Sequence, residues 1–151
     1  MNTTPFHDEP ARPEDAEALV ALRIAAMRES LERIGRFDPQ RARDRFLATY
    51  QPALTRHLVV GGERVGFVVV RTEVDHLLLD HLYLHPAHQG RGIGAAVLRA
   101  LFAQADAQGL PVRVGALRES DSNRFYARHG FVLVEAAEWD NYYVRQPQAR
   151  A

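Results

Sequence analysis

The chain has 151 residues, which fits one domain of ordinary size. At that length folding buries roughly 70% of the surface an unfolded chain exposes, so no disulfide or metal staple is needed. Nineteen basic residues balance nineteen acidic ones, which excludes the basic excess of a global nucleic-acid binder. There is no cysteine, and with it go disulfides, thiolate metal sites and a cysteine nucleophile.

No apolar run approaches the length of a membrane span, and the opening "MNTTPFHDEP" lacks the basic and apolar regions of a signal peptide. The expectation is a cytoplasmic single domain over residues 1–151 that needs neither membrane nor nucleic acid as partner.

The segment "ARPEDAEALVALRIAAMRESLERIG" opens with Pro13, Glu14 and Asp15, which suit the first turn of a helix. Apolar residues at Ala16, Leu19, Val20, Leu22, Ala26, Met27, Leu31 and Ile34 form a helical stripe that Gly35 stops. A second helix is predicted in "FDPQRARDRFLATYQP", with Asp38 as cap, Pro39 at the first position and an end before Pro52. "RHLVV" and "RVGFVVVRT" flank "GGE" and read as a hairpin. "HLLLDHLYLH" is apolar almost throughout and reads as a strand buried on both faces.

The glycine segment "QGRGIG" follows, and its helix runs to about Gln108 with Ile93, Val97, Leu98, Leu101, Phe102 and Ala105 on one face and Gly109 as stop. "PVRVGAL" is a short strand. "SDSNRFYARHGF" is a compact helix that begins at Ser120 or Asp121 and closes at Gly130, and "FVLVEAAEWDNYYVRQ" holds two final strands. Two helices, three strands, helix, strand, helix and two strands make an α/β (α+β) sandwich with a mixed sheet.

Gly90, Gly92 and Gly94 alternate at the mouth of a helix, with Arg91 between the first two. A helix N-terminus carries unpartnered N–H groups and attracts anions, and glycines let the backbone come close to one. The pattern suits a phosphate or pyrophosphate. It is not a Walker A loop, because no Lys-Ser or Lys-Thr pair follows. Gly90, Gly92 and Ala95 satisfy the dinucleotide pattern G-x-G-x-x-G/A, but Pro86 and a polar stretch separate them from the strand. The region where the ribose-binding acid would fall, "GLPVRV", contains none. His81, His85 and His88 do not read as a metal site, since Pro86 and the strand pattern break the helical geometry such a run would need.

"QGRGIG" after "LYLHP" resembles the acetyl-CoA signature Q/R-x-x-G-x-G/A of the GNAT N-acetyltransferase superfamily, filled by Gln89, Gly92 and Gly94. "NRFYARHGF", Asn123 to Phe131, is similar to the family's second cofactor motif shortened by two residues, and "RPEDAEALVALR" resembles its first helix. The resemblance spans nearly the whole chain in the expected order. It implies a mixed, mostly antiparallel twisted sheet of six to seven strands with a central splay, flanked by about four helices. It also implies acetyl-CoA as acyl donor, with no metal. The amides of Gln89, Gly90, Arg91, Gly92, Ile93 and Gly94 would wrap the pyrophosphate, and the backbone of Leu82, Tyr83 and Leu84 would pair with the pantetheine arm.

Amide formation from a thioester needs a neutral amine, a polarised carbonyl and a proton for the leaving thiolate. Tyr126 stands where the resemblance places the tyrosine that supplies that proton, and its other reading is an aromatic core residue beside Phe125 and Phe131. Phe125 is the neighbour expected in the apolar face. Asn123 stands where a residue contacts the cofactor arm, or else caps its helix. Asp80 interrupts an apolar strand, which is costly without a use or a partner. It is the candidate base, directly or through water, against a structural ion pair. Alternation puts it with Leu78 and Leu82, and puts the reserve base His81 with Tyr83.

The expectation is direct attack by a primary amine, of a small molecule or of a peptide or protein, within a ternary complex. A catalytically silent acyl-CoA sensor of the same fold is the alternative. The end strand "EWDNYYVR" could pair with a second copy to give a homodimer, or simply close the sheet.

Overall fold

Prolines and glycines set most of the element boundaries. The computed structural model describes residues 5–149. In chain order it has β1 (His7–Pro10), a 3-10 turn (Pro13–Asp15), α1 (Ala16–Arg33), α2 (Pro39–Thr49), a 3-10 turn (Pro52–Leu54), β2 (Thr55–Val60) and β3 (Glu63–Thr72). Then come β4 (Leu77–Leu84), a 3-10 turn (Pro86–His88), α3 (Ile93–Gln108), β5 (Val112–Leu117), α4 (Ser122–Arg128), β6 (Val132–Ala136) and β7 (Asp140–Arg145). Asp38 caps α2 as expected: its Oδ1 accepts from the Arg41 N–H at 3.1 Å, with Pro39 at the first helical position.

The strands are ordered β1-β2-β3-β4-β5-β7-β6. β4 and β5 are parallel, whereas β1–β2, β2–β3, β5–β7 and β6–β7 are antiparallel. The mixed, mostly antiparallel sheet with four helices is the expected architecture. β1 is an addition. Its sequence "HDEP" has no apolar alternation to betray a strand, and it lies at the sheet edge, held by its ladder to β2. No helix among the described residues is long and apolar enough to cross a membrane.

The chain forms two compact units, and β3, β4 and α3 each pass from one to the other. The first holds the residues up to Val69 with His81–Gly94, and the second holds Val70–Asp80 with the residues from Ala95 on. The core of the first gathers Ala11, Leu19, Val20, Phe46, Phe67 and Val69, with Tyr50 and Tyr83 packed against it. Phe46 stacks on Tyr50 at 5.5 Å between ring centres and meets Phe67 edge-on at 5.7 Å.

At its margin His57, 3% exposed, contacts Asp15 Oδ2 through Nε2 at 2.9 Å. The same carboxylate accepts the Arg12 N–H at 2.9 Å. Gly66 on β3 faces β4 so closely that a Cβ there would lie 2.4 Å from the Tyr83 carbonyl oxygen, so no side chain fits.

In the second unit the β4–β5 ladder counts Leu77↔Val112, Leu78↔Arg113 and Leu79↔Val114. β5 then pairs along its whole length with β7. Arg145 at the end of β7 is buried. It donates to both oxygens of Asp106 on α3, at 2.7 and 3.2 Å, and its guanidinium lies 4.0 Å from the centre of the Phe102 ring. The Gln148 N–H donates to the same carboxylate at 3.0 Å.

Removing one partner of a buried ion pair strands the other charge. Arg145→Ala is therefore expected to cost about 3 kcal/mol or more in denaturant unfolding, with Arg145→Lys costing less.

Asp15 yields a pH prediction. The hydrogen bond from His57, then that from the Arg12 N–H, holds its carboxyl below the ordinary value of 3.8. The native state therefore binds fewer protons there than the unfolded chain. The stability this contributes is present above pH 3.8 and is lost as pH falls through the lowered native pKa. Asp15→Asn should flatten that part of the acid limb when unfolding is measured as a function of pH.

Candidate functional site

The candidate residues of the first unit are consecutive along β4, the loop after it and the start of α3. Strand alternation places His81 and Tyr83 side by side, ring centres 5.6 Å apart, against Phe67 at 6.1 and 5.6 Å. His81 also lies 5.6 Å from Phe46. This shared face is the one that period-two alternation predicts. Leu82, Tyr83 and Leu84 are half-buried.

The loop is tied back to its strand. The His85 N–H donates to the Val65 carbonyl at 2.8 Å, and His85 Nδ1 accepts from the Ala87 N–H at 3.1 Å. Gln89 Nε2 donates to the Leu84 carbonyl at 3.1 Å, so the glutamine side chain closes the loop onto the end of β4.

Gly90 and Gly92 then adopt φ of +76° and +80°, in the left-handed region that side chains resist. Ile93, 1% exposed, anchors the first residue of α3, and Gly94 lies inside that helix. Arg91, between the two left-handed glycines, is exposed. A 16-residue helix thus begins behind a loop with bare backbone and one outward cation, a donor set suited to an anion. Around His85 and His88 the contacts are local: the two rings are 6.4 Å apart, and His88 Nε2 lies 3.8 Å from Glu63. Among the described residues no group of three His, Cys, Asp or Glu side chains is placed to hold a metal.

Asp80, in the second unit, has the ion-pair partner that sequence reasoning weighed for it: Arg71 Nε donates to its Oδ2 at 2.8 Å. α4 carries the other two candidates. Asn123 and Tyr126 are three residues apart and share a helix face. Asn123 Nδ2 donates to the carbonyls of Leu117 and Ser120, both at 2.9 Å. Its Oδ1 accepts from Asn141 Nδ2 at 3.0 Å and from the Tyr143 hydroxyl at 2.7 Å. The amide therefore ties α4 to the end of β5 and to β7.

Tyr126 is 5% exposed, its ring 5.3 Å from Phe131 and 6.4 Å from Tyr143. This corrects one expectation. Tyr126, not Phe125, is the aromatic set deepest in this short helix, because the face it shares with Asn123 is the one fastened to β5 and β7. Phe125 is half-buried, beside His129 at 4.8 Å.

One residue escaped sequence reasoning. Arg23 on α1 stands four residues from Leu19 and three from Val20, both buried, and so belongs to the helix's inner side. Its guanidinium carbon lies 5.7 Å from the centre of the Tyr83 ring. A charge at a stripe position was the available signal.

The family model for the acetyltransferase (GNAT) domain matches residues 53–133, more than half of the chain. The chain belongs to the GNAT acetyltransferase family. A Haemophilus influenzae relative, [ribosomal protein bS18]-alanine N-acetyltransferase, is 31% identical over 98 residues, or 64% of this chain; the match spans 66% of that relative, just under two thirds of its length. The GNAT fold recurs in the PaiA N-acetyltransferase of Thermoplasma acidophilum, solved in complex with coenzyme A. That structure has a TM-score of 0.76 and 16% identity, over 94% of this chain and 99% of that one. An acetyltransferase of Thermus thermophilus aligns with a TM-score of 0.73 and 22% identity, over 97% of this chain and 99% of the other.

The Asn123 network makes a checkable statement. Asn123→Ala leaves the half-buried Asn141 amide and the buried Tyr143 hydroxyl without the acceptor they share, and is expected to cost about 2 kcal/mol in denaturant unfolding. Loss of the near-ultraviolet circular dichroism that Tyr143 and Tyr126 contribute should accompany it.

Proposed function

We propose that the chain is an N-acetyltransferase that moves the acetyl group of acetyl-CoA to a primary amine by direct attack in a ternary complex, acting as one catalytic domain over residues 1–151 in the cytoplasm. The observation that carries this reading is the left-handed pair Gly90 and Gly92 around Arg91 at the start of α3, in a chain of the GNAT family. The coenzyme A held by the PaiA protein of the same fold supports the choice of donor.

The proposed roles follow from the chemistry of each group. Main-chain N–H groups of Gln89, Gly90, Arg91, Gly92, Ile93 and Gly94 receive the donor's pyrophosphate, and the Arg91 side chain adds positive charge. The backbone of Leu82, Tyr83 and Leu84 pairs with the pantetheine arm, which leaves their side chains to be chosen for packing. Tyr126 gives its phenolic proton to the departing thiolate. Asp80 takes the amine's proton, directly or through water, with His81 in reserve. Asn123 serves the donor by fixing α4, the helix that carries Tyr126. The relative named for an alanine of bS18 supports including peptide N-termini beside small amines in any acceptor panel.

The test is amine-dependent release of free thiol from acetyl-CoA. Wild-type protein is expected to turn over at least one amine of the panel. Tyr126→Phe should lower kcat by about 100-fold, in the range of general acid catalysis, with donor affinity retained. Asp80→Asn should lower kcat by about 100-fold, in the range of general base catalysis, with donor affinity retained. Donor binding with no thiol release for any amine would instead describe a sensor.

A further inference from the structure

We infer that the amine acceptor carries a carboxylate, and that Arg23, lying over Tyr83, is the residue that receives it. This rests on the transferase reading above, which it narrows from any primary amine to an aminocarboxylate.

The inference starts from how the arginines of this chain are engaged. Arg28 and Arg33 on the outer side of α1 pair with Glu32 and Glu29 one turn away, and Arg43, Arg56, Arg64, Arg71 and Arg145 each meet a carboxylate. Arg23 meets none among the described residues. Its Nε is shut off from solvent and has no hydrogen-bond partner. A buried donor without an acceptor costs free energy that neighbouring structure normally removes. The long apolar stem of an arginine would let the charged head leave for water. Here the head stays over an aromatic ring.

The Tyr83 ring beneath it belongs to a cluster of rings within one unit. Tyr83 lies beside His81 and Phe67, and Phe46 lies beside His81 and Phe67. The planar fork of a guanidinium matches the two oxygens of a carboxylate. The ring contact and the buried Nε hold the head in place in advance, so less rotamer entropy is lost when the anion arrives. The same strand, β4, supplies Tyr83 for the arginine and the backbone proposed for the donor. Arg23 and the donor-binding stretch Leu82, Tyr83 and Leu84 therefore belong to one folded unit.

The experiment compares free amino acids with their amides, glycine against glycinamide and L-alanine against L-alaninamide, in the wild type and in Arg23→Gln and Arg23→Lys. Each pair shares the amine and differs only in the carboxylate, and the carboxamide makes the amine less basic, which by itself favours the amide. The wild type is expected to prefer the acid in kcat/KM. Arg23→Gln should lose about ten-fold or more of that preference, through KM with kcat nearly unchanged. Arg23→Lys should restore part of it. Calorimetric affinity for acetyl-CoA should be equal in all three proteins.

A second readout does not depend on turnover. The Arg23 Nε–H NMR signal, identified by its absence in Arg23→Lys, should shift saturably with glycine or L-alanine and stay still with the amides. Equal shifts from acid and amide, or none from either, would overturn the inference. So would a loss of acetyl-CoA affinity in Arg23→Gln, which would assign the arginine to the donor's phosphates. Failure of every amine to be acetylated, with the NMR shift present, would sink the transferase reading and leave the carboxylate site standing.

Discussion

The turn from β4 into α3 has to bring bare main chain to the front of a helix, and the rest of the candidate site depends on that constraint. Two residues in it take positive φ, and both are glycine. A side chain at either position would strain the backbone by about 1 kcal/mol or more and would stand where the loop's N–H groups are presented. The loop is not left to hold itself. Gln89 reaches back to the Leu84 carbonyl, the His85 N–H is bonded to Val65, and Ile93 is sunk in the core at the first position of the helix. Glycine supplies the conformation, and the three anchors remove the freedom that glycine would otherwise keep.

Each unit is held by a small number of specific polar contacts set into an apolar core. In the first, His57 and the Arg12 N–H share one carboxylate oxygen of Asp15, which joins the turn before α1 to β2. In the second, Asp106 gathers both Arg145 and the Gln148 N–H, so the last strand is fastened to α3. Asn123 does comparable work for α4, because a helix of seven residues has too few turns to be stable by propensity alone. Its amide is the link between the helix that carries Tyr126 and the strands β5 and β7.

Much of this was legible from residue types and spacing. Asp38 and Pro39 announce the start of α2, the Gly61-Gly62 pair announces the β2–β3 turn, and the apolar run from Leu77 announces β4. The glycine loop was readable because a positive φ can be inferred from glycine spacing at a helix mouth. β1 was not readable, since a polar edge strand is made by its ladder and carries no hydrophobic period. The order of Phe125 and Tyr126 was misjudged for a related reason: in so short a helix the buried face is chosen by the tertiary partner of Asn123, which no local pattern records. Asp80 shows the limit from the other side. The strand pattern marks a charge that needs a reason, and only the fold supplies Arg71 as the partner.

The central claim is that the loop from Gln89 to Gly94 is built for the phosphates of an acyl-CoA. Calorimetric titration of the purified chain with acetyl-CoA, beside NAD and with Gly92→Glu as the control, tests it most directly. The account predicts saturable binding of acetyl-CoA that is lost in the glutamate variant, with no heat from NAD. Absence of acetyl-CoA binding, or binding that survives Gly92→Glu unchanged, would contradict it.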